Sequence, residues 1–181
     1  MRVITGTARG KRLKTLDGLD TRPTTDRVKE SIFNIVQFDI EGRQVLDLFA
    51  GSGQLAIECV SRGALHATAV DLSKAAVKVI AENVRNCEME DRIHVVGEDY
   101  RTFLKRIRKQ FDLILMDPPY HTKDLQNALD LIYEFDILTD GGIIVCESAR
   151  DQELAEPPAP YEKGREYLYG KSKVSVIHKR V

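Results

Sequence analysis

Three carboxylates stand where short apolar runs end: Asp47 after Val45-Leu46, Asp71 after Val70, and Asp99 just past Val95-Val96. The first opens the segment Asp47-Leu48-Phe49-Ala50-Gly51-Ser52-Gly53. Gly51 and Gly53 let a backbone turn tightly and approach a ligand with no Cβ in the way. Asp47 has the chemistry to accept from an ammonium group, and Asp71, 20 residues beyond Gly51, to hold two ribose hydroxyls. Asp99 suits an adenine amino group, with the Tyr100 ring covering the base. Phe49, Ala50 and Leu72 complete the candidate lining. Gly51-Ser52-Gly53-Gln54-Leu55-Ala56 also matches the dinucleotide fingerprint, so the loop alone does not separate NAD from S-adenosylmethionine. Charge favours the methyl donor: three acids at successive strand ends attract a sulfonium cation and repel a pyrophosphate. The rival structural reading is that each acid caps the helix after it.

A second group follows the apolar run Leu113-Ile114-Leu115-Met116, namely Asp117-Pro118-Pro119-Tyr120. Two consecutive prolines fix the backbone and remove two N–H donors. What remains is a rigid, acceptor-only ledge made of carbonyls and the Asp117 carboxylate. An exocyclic amino group on a base offers two donors to such a ledge, which would help its lone pair localise towards an electrophilic methyl carbon. Tyr120 adds a face for stacking, a contact of about 1–3 kcal/mol. Asp117 is expected to position the amine and to be available as a proton acceptor. The alternative is an ordinary proline turn closing a strand.

The elements needed to position these groups are legible as alternation. Short apolar strands are expected at 45–48, 67–70, 93–96, 113–116 and 143–146, with helices at 54–62, 73–86, 100–109 and 122–136 between them. Strands alternating with helices of this length imply parallel βαβ units in an open, doubly wound sheet. Gly141-Gly142 is expected to form a turn before the fifth strand, and 166–169 with 172–178 an antiparallel closing hairpin. Ahead of the alternation, 2–5 and 11–16 suggest a small hairpin. Thr24 or Thr25 suits the cap of a helix that runs to about Phe38, with Val28, Ile32, Ile35 and Val36 at helical spacing. The expected organisation is an N-terminal extension, 1–42, packed on a core domain, 43–181.

With 181 residues, the chain is sized for one core. No apolar run approaches the ~20 residues of a bilayer span, and the first residues lack a signal-peptide pattern, so a cytoplasmic, monomeric protein is expected. Cys59, Cys87 and Cys146 show neither disulfide nor metal-site spacing, which predicts reduced structural thiols and no metal. The net charge is −1, but residues 1–30 carry eight Lys/Arg against four acids, so their +4 leaves −5 for the remainder. A basic arm on a mildly acidic body suits phosphate contact on one face, although a solvated hairpin would carry the same charge.

The motifs at 47–53 and 117–120 resemble those of the class I, Rossmann-like amino-methyltransferases. Thr21-Arg22-Pro23-Thr24-Thr25-Asp26-Arg27-Val28-Lys29-Glu30-Ser31-Ile32-Phe33-Asn34, together with Arg2-Val3-Ile4-Thr5-Gly6, Gly10-Lys11-Arg12-Leu13 and Ser61-Arg62-Gly63-Ala64, closely resembles the bacterial 16S rRNA (guanine-N2)-methyltransferase family. The resemblance implies a mostly parallel seven-stranded sheet with an antiparallel C-terminal hairpin. It also implies S-adenosylmethionine as cofactor and 16S rRNA or the small ribosomal subunit as partner. Asp47, Phe49, Ala50, Gly51, Gly53, Asp71, Leu72, Asp99, Tyr100 and Asp117 would then line the donor site. Asp117, Pro118 and Tyr120 would hold the base, while Arg9, Lys11, Arg12, Arg22, Thr24 and Arg27 would meet RNA. Tyr120 stands where some members carry Phe. A DNA adenine-N6 methyltransferase would also use Asp-Pro-Pro-Tyr, but generally with additional structure for reading the major groove. An NAD-dependent oxidoreductase leaves 117–120 without a role, and a non-catalytic RNA-binding module leaves the acidic strand ends without one.

Overall fold

The computed structural model describes residues 1–16 and 26–181. Helix α1 (Asp26–Ile35) leads into the alternation β1 (Gln44–Asp47), α2 (Gln54–Ser61), β2 (His66–Asp71), α3 (Lys74–Asn86), β3 (Ile93–Gly97), α4 (Tyr100–Arg106), β4 (Phe111–Met116), α5 (Asp124–Glu134) and β5 (Leu138–Ala149). The hairpin β6 (Tyr161–Tyr169) and β7 (Ser172–Lys179) closes the chain. Seven strands form one sheet in the order β3-β2-β1-β4-β5-β7-β6. β1 to β5 are mutually parallel, and β7 inserts antiparallel between β5 and β6.

Side chains alternate across a strand, and both faces of this sheet are covered, so each strand feeds two cores. Val45, Ala67, Ala69, Leu113 and Leu115 pack with α1, α2, α3 and the N-terminal residues Val3, Ala8 and Leu13. Their neighbours Leu46, Leu48, Val70, Ile114 and Met116 pack with α4 and α5 through Phe103, Leu104, Leu125 and Leu129. Parallel strands buried on both faces read as apolar runs, most clearly in β4, whereas the edge strand β3 alternates in burial and carries an exposed His94.

Several boundaries differ from expectation. Gly141-Gly142 does not form a turn ahead of β5 but lies inside it. Phe111 pairs with Leu138, and Leu113 with Ile143, so the β5 side carries extra residues as a bulge. Helix α1 stops at Ile35, and Phe38 is almost fully exposed beyond it. β6 begins five residues earlier than expected, because Tyr161 pairs with Lys179. The proposed cap residues Thr24 and Thr25 lie outside the described residues.

The N-terminal hairpin is reduced to a single antiparallel bridge, Arg2 with Arg12. Backbone bonds of Val3 to Lys11, Gly10 to Val3 and Leu13 to Met1 hold it together, and side chains of the core satisfy further amides. The Ile4 and Thr5 N–H groups donate to Glu58 Oε2 and Oε1, each at 2.9 Å. Ser61 Oγ accepts from the Ala8 N–H at 2.9 Å and donates to the Thr5 carbonyl at 2.6 Å. Glu58 is fully buried and also receives Lys29 Nζ at 3.2 Å and Arg62 Nε at 3.0 Å. One carboxylate on α2 thereby secures the extension and α1. The approach is close enough that a Cβ on Gly6 would lie 1.8 Å from the Ser61 carbonyl oxygen.

Candidate active site

Strand order reverses direction between β1 and β4, and the crevice beyond the carboxyl ends at such a point is where open α/β sheets place ligands. Asp47 ends β1 level with Leu115 of β4, two residues before Asp117. The chain then folds over the end of β2, with the Ala50 N–H donating to the Val70 carbonyl at 2.9 Å. Gly51 at φ +57° and Gly53 at φ +80° make the tight turn into α2. A Cβ on Gly53 would lie 3.0 Å from Ile80 Cγ2, so the glycine also lets α3 pack against the loop.

The acids behave differently from one another. Asp47 is fully buried, and its Oδ2 accepts from the Ala56 N–H in the first turn of α2 at 3.2 Å. Its Oδ1 is buried with no hydrogen-bond partner. Burial above all, with the nearby charges of Asp117 and Asp71 adding to it, pushes the Asp47 carboxyl up to about 7 against the pull of the Ala56 N–H. Asp71 buttresses the glycine turn: its Oδ2 accepts from the Gly51 N–H at 2.9 Å and its Oδ1 from the Ser73 N–H at 2.8 Å. Asp99 caps α4 through the Arg101 N–H at 2.8 Å and pairs with the Arg101 guanidinium at 3.3 Å. The capping alternative therefore describes Asp99 and in part Asp47, while Ser73 takes that place on α3.

Leu72, beside Asp71, is largely exposed, and Ala50 is buried. Tyr100 is buried, with its ring 5.0 Å from that of Phe49 and under the Arg101 guanidinium at 4.4 Å. Its hydroxyl donates to Asp124 at 3.0 Å. Phe49 and Tyr100 thus form one aromatic unit beside the glycine loop.

At the end of β4, Asp117 and Tyr120 are half-buried, Pro118 buried and Pro119 exposed. The Pro119 carbonyl accepts from Thr122 Oγ1 at 3.0 Å, which ties this turn to the residues ahead of α5. The Tyr120 ring is tethered: its hydroxyl donates to Glu147 Oε1 at 2.5 Å and lies 2.7 Å from Ser172 Oγ. Burial, and then the Glu147 bond, hold this phenol well above its usual range. His121 follows at φ +60°, edge-on to the Tyr120 ring at 6.4 Å.

Glu147 and Ser172 escaped the sequence reading. Glu147 carried a usable signal, since it follows Val145-Cys146 as the other acids follow their strands. Ser172 carried none, because only the insertion of β7 brings it alongside. On the extension, Arg9 and Arg12 are exposed, as is Arg27 at the start of α1. Lys11 Nζ reaches the Asn86 carbonyl at 3.0 Å and Glu88 at 3.5 Å. Arg22 and Thr24 lie outside the described residues.

An open parallel sheet of this strand order, closed by an antiparallel hairpin and carrying acids and a glycine loop at its switch point, is the class I methyltransferase type of fold. The solved structure of the Escherichia coli protein yhhF superposes with a TM-score of 0.90 at 32% identity, covering 99% of this chain and 98% of that one. The chain belongs to the family described as conserved hypothetical protein 95, which matches residues 1–178. Among its relatives is Bacillus subtilis YlbH, provisionally named an rRNA methyltransferase, 40% identical over 99% of this chain and all of that one. Another is the Haemophilus influenzae ribosomal RNA small subunit methyltransferase D, 34% identical over 87% of this chain and 83% of that protein.

Proposed function

We propose that this protein transfers a methyl group from S-adenosylmethionine to the N2 amino group of a guanine in small-subunit ribosomal RNA. The observation that carries the reading is electrostatic. Asp47, Asp71 and Asp117 gather at the switch-point crevice, where burial first and the charges of the other two acids after it oppose ionisation of Asp47, and Asp47 keeps a buried oxygen without a partner. Such a cluster fits a cationic ligand and disfavours a pyrophosphate. The relatives named for rRNA methylation support the substrate class, and the likeness to one of them spans nearly the whole chain.

In this reading Asp47, Asp71, the Gly51–Gly53 turn and the Phe49–Tyr100 pair hold the donor. When bound, the donor supplies an electrophilic methyl on a sulfonium that is already a good leaving group. The residues of this chain then have to orient an amine and exclude competing poses. Asp117 and the Pro118 carbonyl accept from the two amino hydrogens, which sets the direction of the nitrogen lone pair. Tyr120, with its plane fixed by Glu147 and Ser172, stacks on the base. Asp117 takes up the proton that the product ammonium must lose. Orientation of this kind accounts for several kcal/mol of barrier lowering. The exposed Arg9, Arg12 and Arg27, with Lys11, Arg22 and Thr24, belong to the RNA face of the 1–42 extension.

The test is to map N2-methylguanine in 16S rRNA from cells with and without this protein, and then to restore the mark in vitro with purified enzyme and S-adenosylmethionine. One guanine losing its methyl group in the deletion is the expected result. Methylation of DNA adenine in its place would refute the reading.

A further inference from the structure

Asn83, on the face of α3 that meets the extension, is fully buried, and the proposed chemistry leaves it without a role. Its Nδ2 donates to two carbonyls on different parts of the chain: Ser52, inside the glycine loop, at 2.9 Å, and Lys14, on the extension, at 3.0 Å. Its Oδ1 accepts from the Lys14 N–H at 2.8 Å. Both donors of the amide and one of its acceptor positions are therefore committed to joining these two segments. A purely structural side chain could tie the extension to α3 alone, as the surface pair Lys14–Glu82 does at 2.7 Å. Asn83 instead ties it to the turn that would hold the methyl donor.

We propose that Asn83 is a positioning residue that couples donor binding at the glycine loop to the placement of the RNA-facing extension. The inference rests on the proposed function. A donor seated on Gly51–Gly53 fixes the Ser52 carbonyl, and with it the amide that holds Lys14. Ordering of the extension is thereby favoured in the donor-loaded protein. By linkage, RNA seated on the extension tightens donor binding by the same factor. A hydrogen bond between buried partners transmits such a constraint because the groups have no solvent to turn to.

The experiment uses the full chain with S-adenosylhomocysteine as probe, followed by calorimetry and by hydrogen exchange at individual amides. In the wild-type protein the probe should slow exchange at the Lys14 amide more than at the Val3 and Leu13 amides, which bond within the extension. Asn83→Ser should abolish that difference and raise the probe Kd about fivefold or more, at the low end of measured couplings. Glu82→Gln, which breaks only the surface pair, should retain both behaviours. Uniform slowing of all three amides in the wild type overturns the inference, and so does a folded Asn83→Ser protein with unchanged Kd. The wild-type measurement decides the matter even if Asn83→Ser fails to fold. Absence of any probe binding to the wild type would instead refute the proposed function, and the coupling with it.

Discussion

At the residue scale, the acids that look equivalent in the sequence have divided their tasks. Asp47 is the one whose ionisation folding opposes. Its carboxyl rises from 3.8 to about 7, so the folded chain holds a proton that the unfolded chain has released. Stability of the ligand-free protein should therefore fall as pH rises from about 4 to about 7, by roughly 1.4 kcal/mol for each pH unit, and Asp47→Asn should flatten that slope in urea titrations. Donor affinity should climb over the same interval as Asp47 becomes anionic. Asp117 is expected to act on the amine. Asp117→Ala should lower kcat by about 100-fold in single-turnover methylation, while calorimetry finds donor binding nearly intact. Tyr120→Phe keeps the stacking face but deprives Glu147 and Ser172 of the hydroxyl. A loss of about 1–3 kcal/mol in denaturant unfolding should accompany it, with a smaller fall in kcat than Tyr120→Ala produces.

At the scale of elements, α2 holds together parts of the chain that a sequence pattern treats separately. It receives the glycine loop at one end, and its Glu58 gathers Lys29 of α1, Arg62, and the Ile4 and Thr5 amides. Removing one member of a buried ion pair leaves the other charge uncompensated, at a cost of about 3–5 kcal/mol. Lys29→Met should accordingly lower the midpoint of chemical unfolding and expose the extension to proteolysis. Retention of wild-type stability would mean that Arg62 alone compensates Glu58.

At the scale of the whole molecule, an acidic crevice and a basic extension occupy one chain of almost no net charge. Lys14 pairs with Glu82 on α3 and Lys11 with Glu88 just beyond it, whereas Arg9 and Arg12 are exposed. The double variant Arg9→Ala, Arg12→Ala should weaken RNA binding and lower the slope of log K against log salt by about 1–2, at roughly 0.7–0.9 per phosphate contact. An unchanged slope would place the RNA elsewhere. Among the described residues no helix is long and apolar enough to cross a membrane.

The alternation of strands and helices, the glycine turn, and the acids at the ends of β1, β2 and β4 were all determined locally, by residue type and spacing. Hydrophobic periodicity and proline or glycine stereochemistry act within a few residues, and a sequence displays them directly. The order of the strands, the bulge that absorbed Gly141-Gly142, the tether from Tyr120 to Glu147 and Ser172, and the Asn83 bridge were decided only by tertiary structure. The bulge, the tether and the bridge join groups from 27 to 69 residues apart. Burial alone makes such partners obligatory, because a polar group removed from water must take whatever donor or acceptor the fold has carried to its side.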